Sequence, residues 1–133
     1  MEDLYRELIL EHYKHPHNAG TLEHPDASQE EYNPLCGDRV RIDLRIEDGI
    51  IKDVRFQGRG CAISQASASL LTDEILGKSV ADVQAFGKQD MLDLLGVPLD
   101  KNPVRIKCAL LPLKALKLGI YTFLGATIAD EEI

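Results

Sequence analysis

The sequence holds three cysteines, Cys36, Cys61 and Cys108, and a carboxylate, Asp38, two residues after the first of them. Cys36 lies in Asn33-Pro34-Leu35-Cys36-Gly37-Asp38, Cys61 in Gly58-Arg59-Gly60-Cys61, and Cys108 in Arg105-Ile106-Lys107-Cys108. Three thiols cannot all pair within one chain. In a reducing compartment such thiols ligate metal, do chemistry, or sit buried and inert. Three thiolates and one carboxylate make four donors, the number a tetrahedral zinc or iron centre takes. A wholly structural zinc site is more often built from two C-x-x-C knuckles, and this chain has no C-x-x-C. One hard oxygen among soft sulfurs describes an exchangeable site, whose carboxylate can yield to an incoming sulfur or partner ligand. Gly37, Gly58 and Gly60 allow tight turns whose N–H groups can point at sulfur. Arg39, Arg59, Arg105 and Lys107 put positive charge near the thiols in sequence, which favours thiolate.

Each feature has an ordinary reading when taken alone. A cysteine is commonly a small buried hydrophobe, a glycine a turn, an aspartate a cap, and a basic residue solvated surface. The joint observation is harder to dismiss, because all three cysteines fall at predicted element boundaries and none within an apolar stripe.

Those elements follow from periodicity. Residues 3–15 read as an amphipathic helix, with Leu4, Leu8, His12 and Tyr5, Ile9, Tyr13 at helical spacing and Pro16 just past its end. The histidines at 12, 15, 17 and 24 form no HExxH-like pair, and three lie around a helix end where cationic side chains are common. Val40, Ile42, Leu44 and Ile46 alternate with charged residues, which is a half-buried strand. Asp48-Gly49 is a hairpin signal, and Ile50 to Phe56 is the return strand. A further strand near Gln29–Tyr32 completes a three-stranded antiparallel sheet. With the turn at 48–49, residue i faces roughly residue 97 − i, so Cys36 is expected opposite Cys61.

Ala62 to Leu76 reads as a helix ended by Gly77, with small side chains through its first half and Cys61 at its N-terminus. Short helices follow from Ser79 to Phe86 and from Lys88 to Leu95. Cys108 is expected to open a last helix, Ala109 to Leu118, closed by Gly119, with Lys114 and Lys117 near its C-terminal dipole. The tail from Ile120 to Ile133 is expected to dock or fray. The fold class is α+β, a small three-stranded antiparallel sheet with about five helices packed against it.

At 133 residues the chain has the length of one domain, 1–133, with a single core. Hydrophobic content of 44% and charged content of 28% are ordinary for a folded globular chain. The net charge of −7 argues against nucleic acid or an anionic membrane surface as partner. With no leader-like N-terminus and no 18-residue apolar stretch, a cytoplasmic location is expected.

Four blocks carry a resemblance: Glu11 to Gly20 (EHYKHPHNAG), Asn33 to Asp38, Gly58 to Ser64 with Ala66-Ser67-Ala68-Ser69, and Arg105 to Cys108. Together and in this order they resemble the IscU / SufU / NifU N-terminal family over nearly the whole chain. The resemblance implies a scaffold and sulfur acceptor rather than a stand-alone enzyme. Such a protein receives sulfur from a cysteine desulfurase, assembles an iron–sulfur cluster and passes it to apo-proteins or carrier proteins. It places the family's ligands on Cys36, Asp38, Cys61 and Cys108, holding zinc, iron or a 2Fe-2S cluster, with Cys36 and Cys108 as candidate sulfur acceptors. The IscU branch has a histidine immediately before the last cysteine, and Lys107 stands there, as in the SufU branch. Lys101 to Arg105 lacks the Leu and first Pro of the Leu-Pro-Pro-Val-Lys segment that a dedicated Hsp70 chaperone reads, so that partner is not carried over. The chain resembles a shortened SufU-type member. Three readings stand open: a cluster scaffold, a zinc-dependent sulfurtransferase that stimulates the desulfurase, and a structural zinc interaction module.

Overall fold

The computed structural model describes residues 2–34, 37–96 and 103–125, with side chains from Glu7 onward. The expectations that fall on Cys36, on residues 97–102 and on the acidic tail lie outside the described residues. The elements are α1 (Glu2–Lys14), β1 (Ala27–Asn33), β2 (Asp38–Glu47), β3 (Ile50–Arg59), α2 (Ala62–Ile75), α3 (Val80–Ala85), α4 (Lys88–Leu95) and α5 (Pro103–Phe123). The strands form one antiparallel sheet in the order β1-β2-β3, and the fold is α+β as expected.

The β2–β3 hairpin turns at Asp48 (φ 53°) and Gly49 (φ 73°), the pair of positive φ angles that a type I′ turn requires. Glu47↔Ile50 and Ile46↔Ile51 pair with the expected sum of 97. A bulge between Arg45 and Ile46 then leaves Lys52 as an extra residue, and from Arg45↔Asp53 to Arg39↔Arg59 the sum is 98. The simple hairpin arithmetic is corrected by one residue over the half of the strand that matters for the site. The cause is visible in the packing: Ile51 and Val54 are both buried, and a three-residue spacing in a period-two element needs one residue looped out.

The inner face of the sheet carries Val40, Ile42, Leu44, Val54 and Phe56, all buried. α5 packs along β1 and β2, while α2 sits between α1, α5 and β3. α2 can occupy that position because Ser64, Ala66, Ser67, Ala68 and Ser69 are small and buried, so its neighbours approach from several sides. Gly77, at φ 85°, ends α2 in the left-handed conformation expected of a C-terminal glycine. The free edge of β3 is covered by the 18–20 loop, through Gly20 N–H to Phe56 O (2.8 Å) and Phe56 N–H to Asn18 O (2.9 Å).

α5 departs from expectation at both ends. It starts at Pro103, since proline at the first helical position sacrifices no helical hydrogen bond. It then continues through Pro112 and Gly119, and Cys108 lies within it rather than at its mouth. Leu113, Leu116 and Ile120 are fully buried, and about 1.5–3 kcal/mol for each such side chain outweighs the cost of an internal proline. Gly119 is a point of close approach: a Cβ there would stand 3.3 Å from the Cβ of Gln29 on β1. Lys114 and Lys117 are not dipole-facing surface residues. Lys114 pairs with Glu31 at 3.6 Å, and Lys117 is buried, donating to Gln84 O at 2.5 Å. Burial pushes the Lys117 ammonium below its usual value, with Asp90 opposing that shift. No helix among the described residues is long and apolar enough to cross a membrane.

Candidate metal centre

β2 begins with Asp38, whose side chain shares the inner face with Val40 and is fully buried. The corrected register extends to place Asp38 opposite Gly60. Gly60 has φ 136°, and a Cβ on it would overlap the Asp38 carboxylate and stand 2.9 Å from the Asp38 Cα. Only glycine leaves room for the carboxylate at this crossing. The Asp38 Oδ1 accepts from the Cys61 N–H at 2.8 Å, and the Cys61 thiol donates to Oδ2 at 3.4 Å.

Cys61 is the N-cap of α2, in the extended conformation expected of a cap (φ −70°, ψ 160°). Its sulfur accepts from the Ser64 N–H at 3.5 Å, so a thiol serves where a hydroxyl or carboxylate usually caps. Cys61 is exposed, whereas Cys108, in the second turn of α5, is 3% exposed. Pro112 has no N–H to give to the Cys108 carbonyl four residues before it. The donor atoms of Asp38, Cys61 and Cys108 all lie within 4.8 Å of one another. Three of the four residues singled out from the sequence therefore come together, from the start of a strand, a helix cap and a helix interior. Cys36 falls outside the described residues. Two thiols and a carboxylate converging in this way suit zinc or ferrous iron, which take sulfur and oxygen donors in tetrahedral sets.

The basic residues divide. Arg105 and Lys107 are exposed on the first turns of α5. Arg39 and Arg59 are cross-strand partners, and the alternation of a strand points them away from the face that holds Asp38. Arg39 instead pairs with Glu30 at 3.1 Å and stacks over Tyr32, 6.0 Å from the ring centroid.

The histidines do more than decorate a helix end. His12 is buried, its Nδ1 2.7 Å from Ser69 Oγ in α2, and the His17 N–H donates to the same oxygen at 2.8 Å. The His17 ring meets Asp73 at 2.5 Å, and Asn18 donates to Thr72 (3.1 Å) and Asp73 (2.9 Å). Burial pushes the His12 imidazole below its ordinary value and the neighbouring His17 adds to this, against Asp73 and Glu11. This network ties α1 and its following loop to α2. The sequence signal for it was the place of His12 in the apolar stripe of α1.

A family model described as the NifU-like N terminal domain matches residues 4–130. The chain is 37% identical over 135 residues to a zinc-dependent sulfurtransferase SufU of Bacillus subtilis (strain 168), covering 90% of this chain and 91% of that one. It is 36% identical over 120 residues to an iron–sulfur cluster assembly scaffold protein IscU of Escherichia coli (strain K12), covering 87% and 91%. Among solved structures, a putative iron–sulfur cluster assembly scaffold protein for the SUF system from Fervidobacterium islandicum AW-1 superposes with a TM-score of 0.75 at 29% identity, over 86% of this chain and 94% of that one.

Proposed function

Because the chain belongs to the NifU-like N-terminal domain family, we propose that it is an iron–sulfur cluster assembly scaffold, working as one domain over residues 1–133. In this reading it accepts sulfur from a cysteine desulfurase, holds iron or a 2Fe-2S cluster as cargo, and passes it to apo-proteins or carriers in the cytoplasm. The observation that carries the reading is the convergence of the Asp38, Cys61 and Cys108 donors within 4.8 Å. Cys36, two residues before Asp38, is the proposed fourth donor. A thiolate of Cys36 or Cys108 attacks the terminal sulfur of the desulfurase persulfide. A new sulfur–sulfur bond forms on the scaffold, and the desulfurase cysteine leaves as thiolate. Asp38 is the hard and exchangeable ligand, tethered through its hydrogen bond to the Cys61 N–H. Asp38→Ala should lengthen the life of a reconstituted cluster, followed by its visible absorption; an equally labile or weaker cluster speaks against the role.

A second reading is favoured by Lys107, exposed where the IscU branch has histidine, and by the similarity to a zinc-dependent SufU. In it, Asp38, Cys61 and Cys108 with Cys36 would hold zinc, and a ligand supplied by the desulfurase would leave Cys36 free to accept sulfur. Metal analysis of the purified protein, with anaerobic reconstitution from ferrous iron, cysteine and a desulfurase, separates the two. One zinc per chain with strong stimulation of cysteine turnover and no visible cluster supports the second. Cluster absorption without dependence on zinc supports the first.

A further inference from the structure

The outer face of the sheet is covered at one end and open at the other. At the hairpin end the 22–26 loop crosses it: Leu22 N–H donates to Asp43 (3.1 Å), Arg45 to Glu23 O (2.7 Å), and Ile46 N–H to Asp26 (2.8 Å). At the end nearest Asp38 and Cys61 a cleft of about 280 Å³ remains, lined by Glu30, Arg39, Arg41, Gln57, Gly58 and Arg59. Its lining carries three arginines against one glutamate, on a chain whose net charge is −7. Arg41 is neutralised by Asp43 at 2.9 Å and Arg39 is shared with Glu30. Arg59 has no ion pair among the described residues.

Arg39 and Arg59 stand directly opposite each other across β2 and β3. Like charges in that relation destabilise a sheet. The pair therefore opposes folding at a site where almost any other residue would serve the strand equally well. We propose that this cleft docks an acidic segment, Asp or Glu side chains presented by the partner protein that exchanges sulfur with the thiol site. The identity of that partner as a desulfurase rests on the function proposed above. Three observations support a protein occupant. Arg39 follows Asp38 directly and Arg59 lies two residues before Cys61, so a segment held here sits beside the thiols. The cleft, about 280 Å³ and lined by polar and charged side chains, has room for the acidic side chains of a docked segment. Tyr32, 56% exposed beneath Arg39, adds an aromatic of the kind enriched in protein interfaces.

Two measurements test the proposal. In the first, the isotopically labelled wild-type chain is titrated with a hexaglutamate peptide at low salt while backbone amide shifts are followed. Shifts centred on residues 39–41 and 57–59 are expected, and they should vanish in Arg59→Glu. Shifts confined to other regions, shifts unchanged in Arg59→Glu, or a response to an RNA oligonucleotide alone each overturn it. In the second, desulfurase stimulation is measured against scaffold concentration. Arg59→Glu should raise the KM for scaffold about tenfold with kcat kept, and flatten its salt dependence, while Arg59→Lys stays near wild type. The reversed charge now complements Arg39, so Arg59→Glu should melt no lower than wild type. An Arg59→Glu chain with wild-type KM and salt dependence removes the docking role. A wild-type chain that stimulates no desulfurase removes the sulfur-relay reading instead, and the peptide titration decides the docking surface by itself.

Discussion

Gly60→Ala is the sharpest probe of how the sheet builds the site. The native backbone there has φ 136°, a region L-residues avoid at a cost of about 1–3 kcal/mol. The added methyl also overlaps the Asp38 carboxylate and approaches the Asp38 Cα to 2.9 Å, and backbone cannot swing aside as a side chain does. If the carboxylate is displaced, its hydrogen bond from the Cys61 N–H is lost, which adds about 1–3 kcal/mol for a buried polar group. The sum is about 2–6 kcal/mol, which for a chain of this length lowers the melting temperature by roughly 7–21 °C. Thermal and denaturant melts of metal-free protein measure this, and zinc titration measures the loss of affinity. The components separate in a double-mutant cycle with Asp38→Ala. Removing the carboxylate relieves the overlap but not the backbone strain, so Gly60→Ala should cost about 1–2 kcal/mol less in that background. Gly58→Ala is the control: it has no positive φ, and the atoms nearest the added methyl belong to the flexible Gln65 side-chain amide, so the cost should stay below about 1 kcal/mol. A Gly60→Ala protein within about 1 kcal/mol of wild type, with unchanged zinc affinity, refutes the account of this crossing.

Two further outcomes follow from the same structure. His12 has a lowered folded-state pKa, so the unfolded chain takes up the proton first as pH falls. Its contribution is intact above about 6.5, the unfolded value, and declines below it; melts between pH 8 and 5 should show that decline, and His12→Gln should remove most of it. Asp43 does not confuse this window. Burial raises its carboxyl, but hydrogen bonds from Ser28, Arg41 and the Leu22 N–H and the Arg41 charge outweigh burial, so its contribution fails only at pH values below the ordinary carboxylate range. Chelation should also destabilise the zinc-loaded protein: at a free zinc concentration 100 times the Kd, binding contributes about 2.7 kcal/mol, a fall of roughly 10 °C on removal. An unchanged melt after chelation shows that the site does not hold zinc.

The parts of the fold that were legible are those with strong local chemistry. Asp48-Gly49 marks the hairpin, Gly77 the end of α2, and the Val40-Ile42-Leu44-Ile46 alternation the central strand, because each follows from backbone sterics or period alone. Errors arose where tertiary packing overrode local signals. Gly119 reads as a helix end, yet the apolar surface of α5 keeps it helical to Phe123. His12 reads as a helix-end cation, although it shares the apolar stripe of α1, and its partner Ser69 lies far away in sequence. For the site, cysteine count and spacing pointed to Asp38, Cys61 and Cys108. The division of the basic residues between two faces was hidden until the register was known.

That register explains why the site needs the bulge. Without the extra residue at Lys52 the pairing sum would remain 97, and Asp38 would face Arg59 instead of Gly60. A buried carboxylate facing a long side chain on the inner face has no room for a metal or for a thiol 3.4 Å away. The extra residue turns Arg59 outward beside Arg39 and brings Gly60 to the crossing, since a one-residue slip exchanges every side chain between faces. One irregularity near the turn thus sets both sides of the strand end: a carboxylate and two thiols inward, and an arginine pair outward. The two sides are chemically opposite yet separated by a single backbone layer. A partner docked on the arginines as proposed would meet the exposed Cys61 along the same strand end.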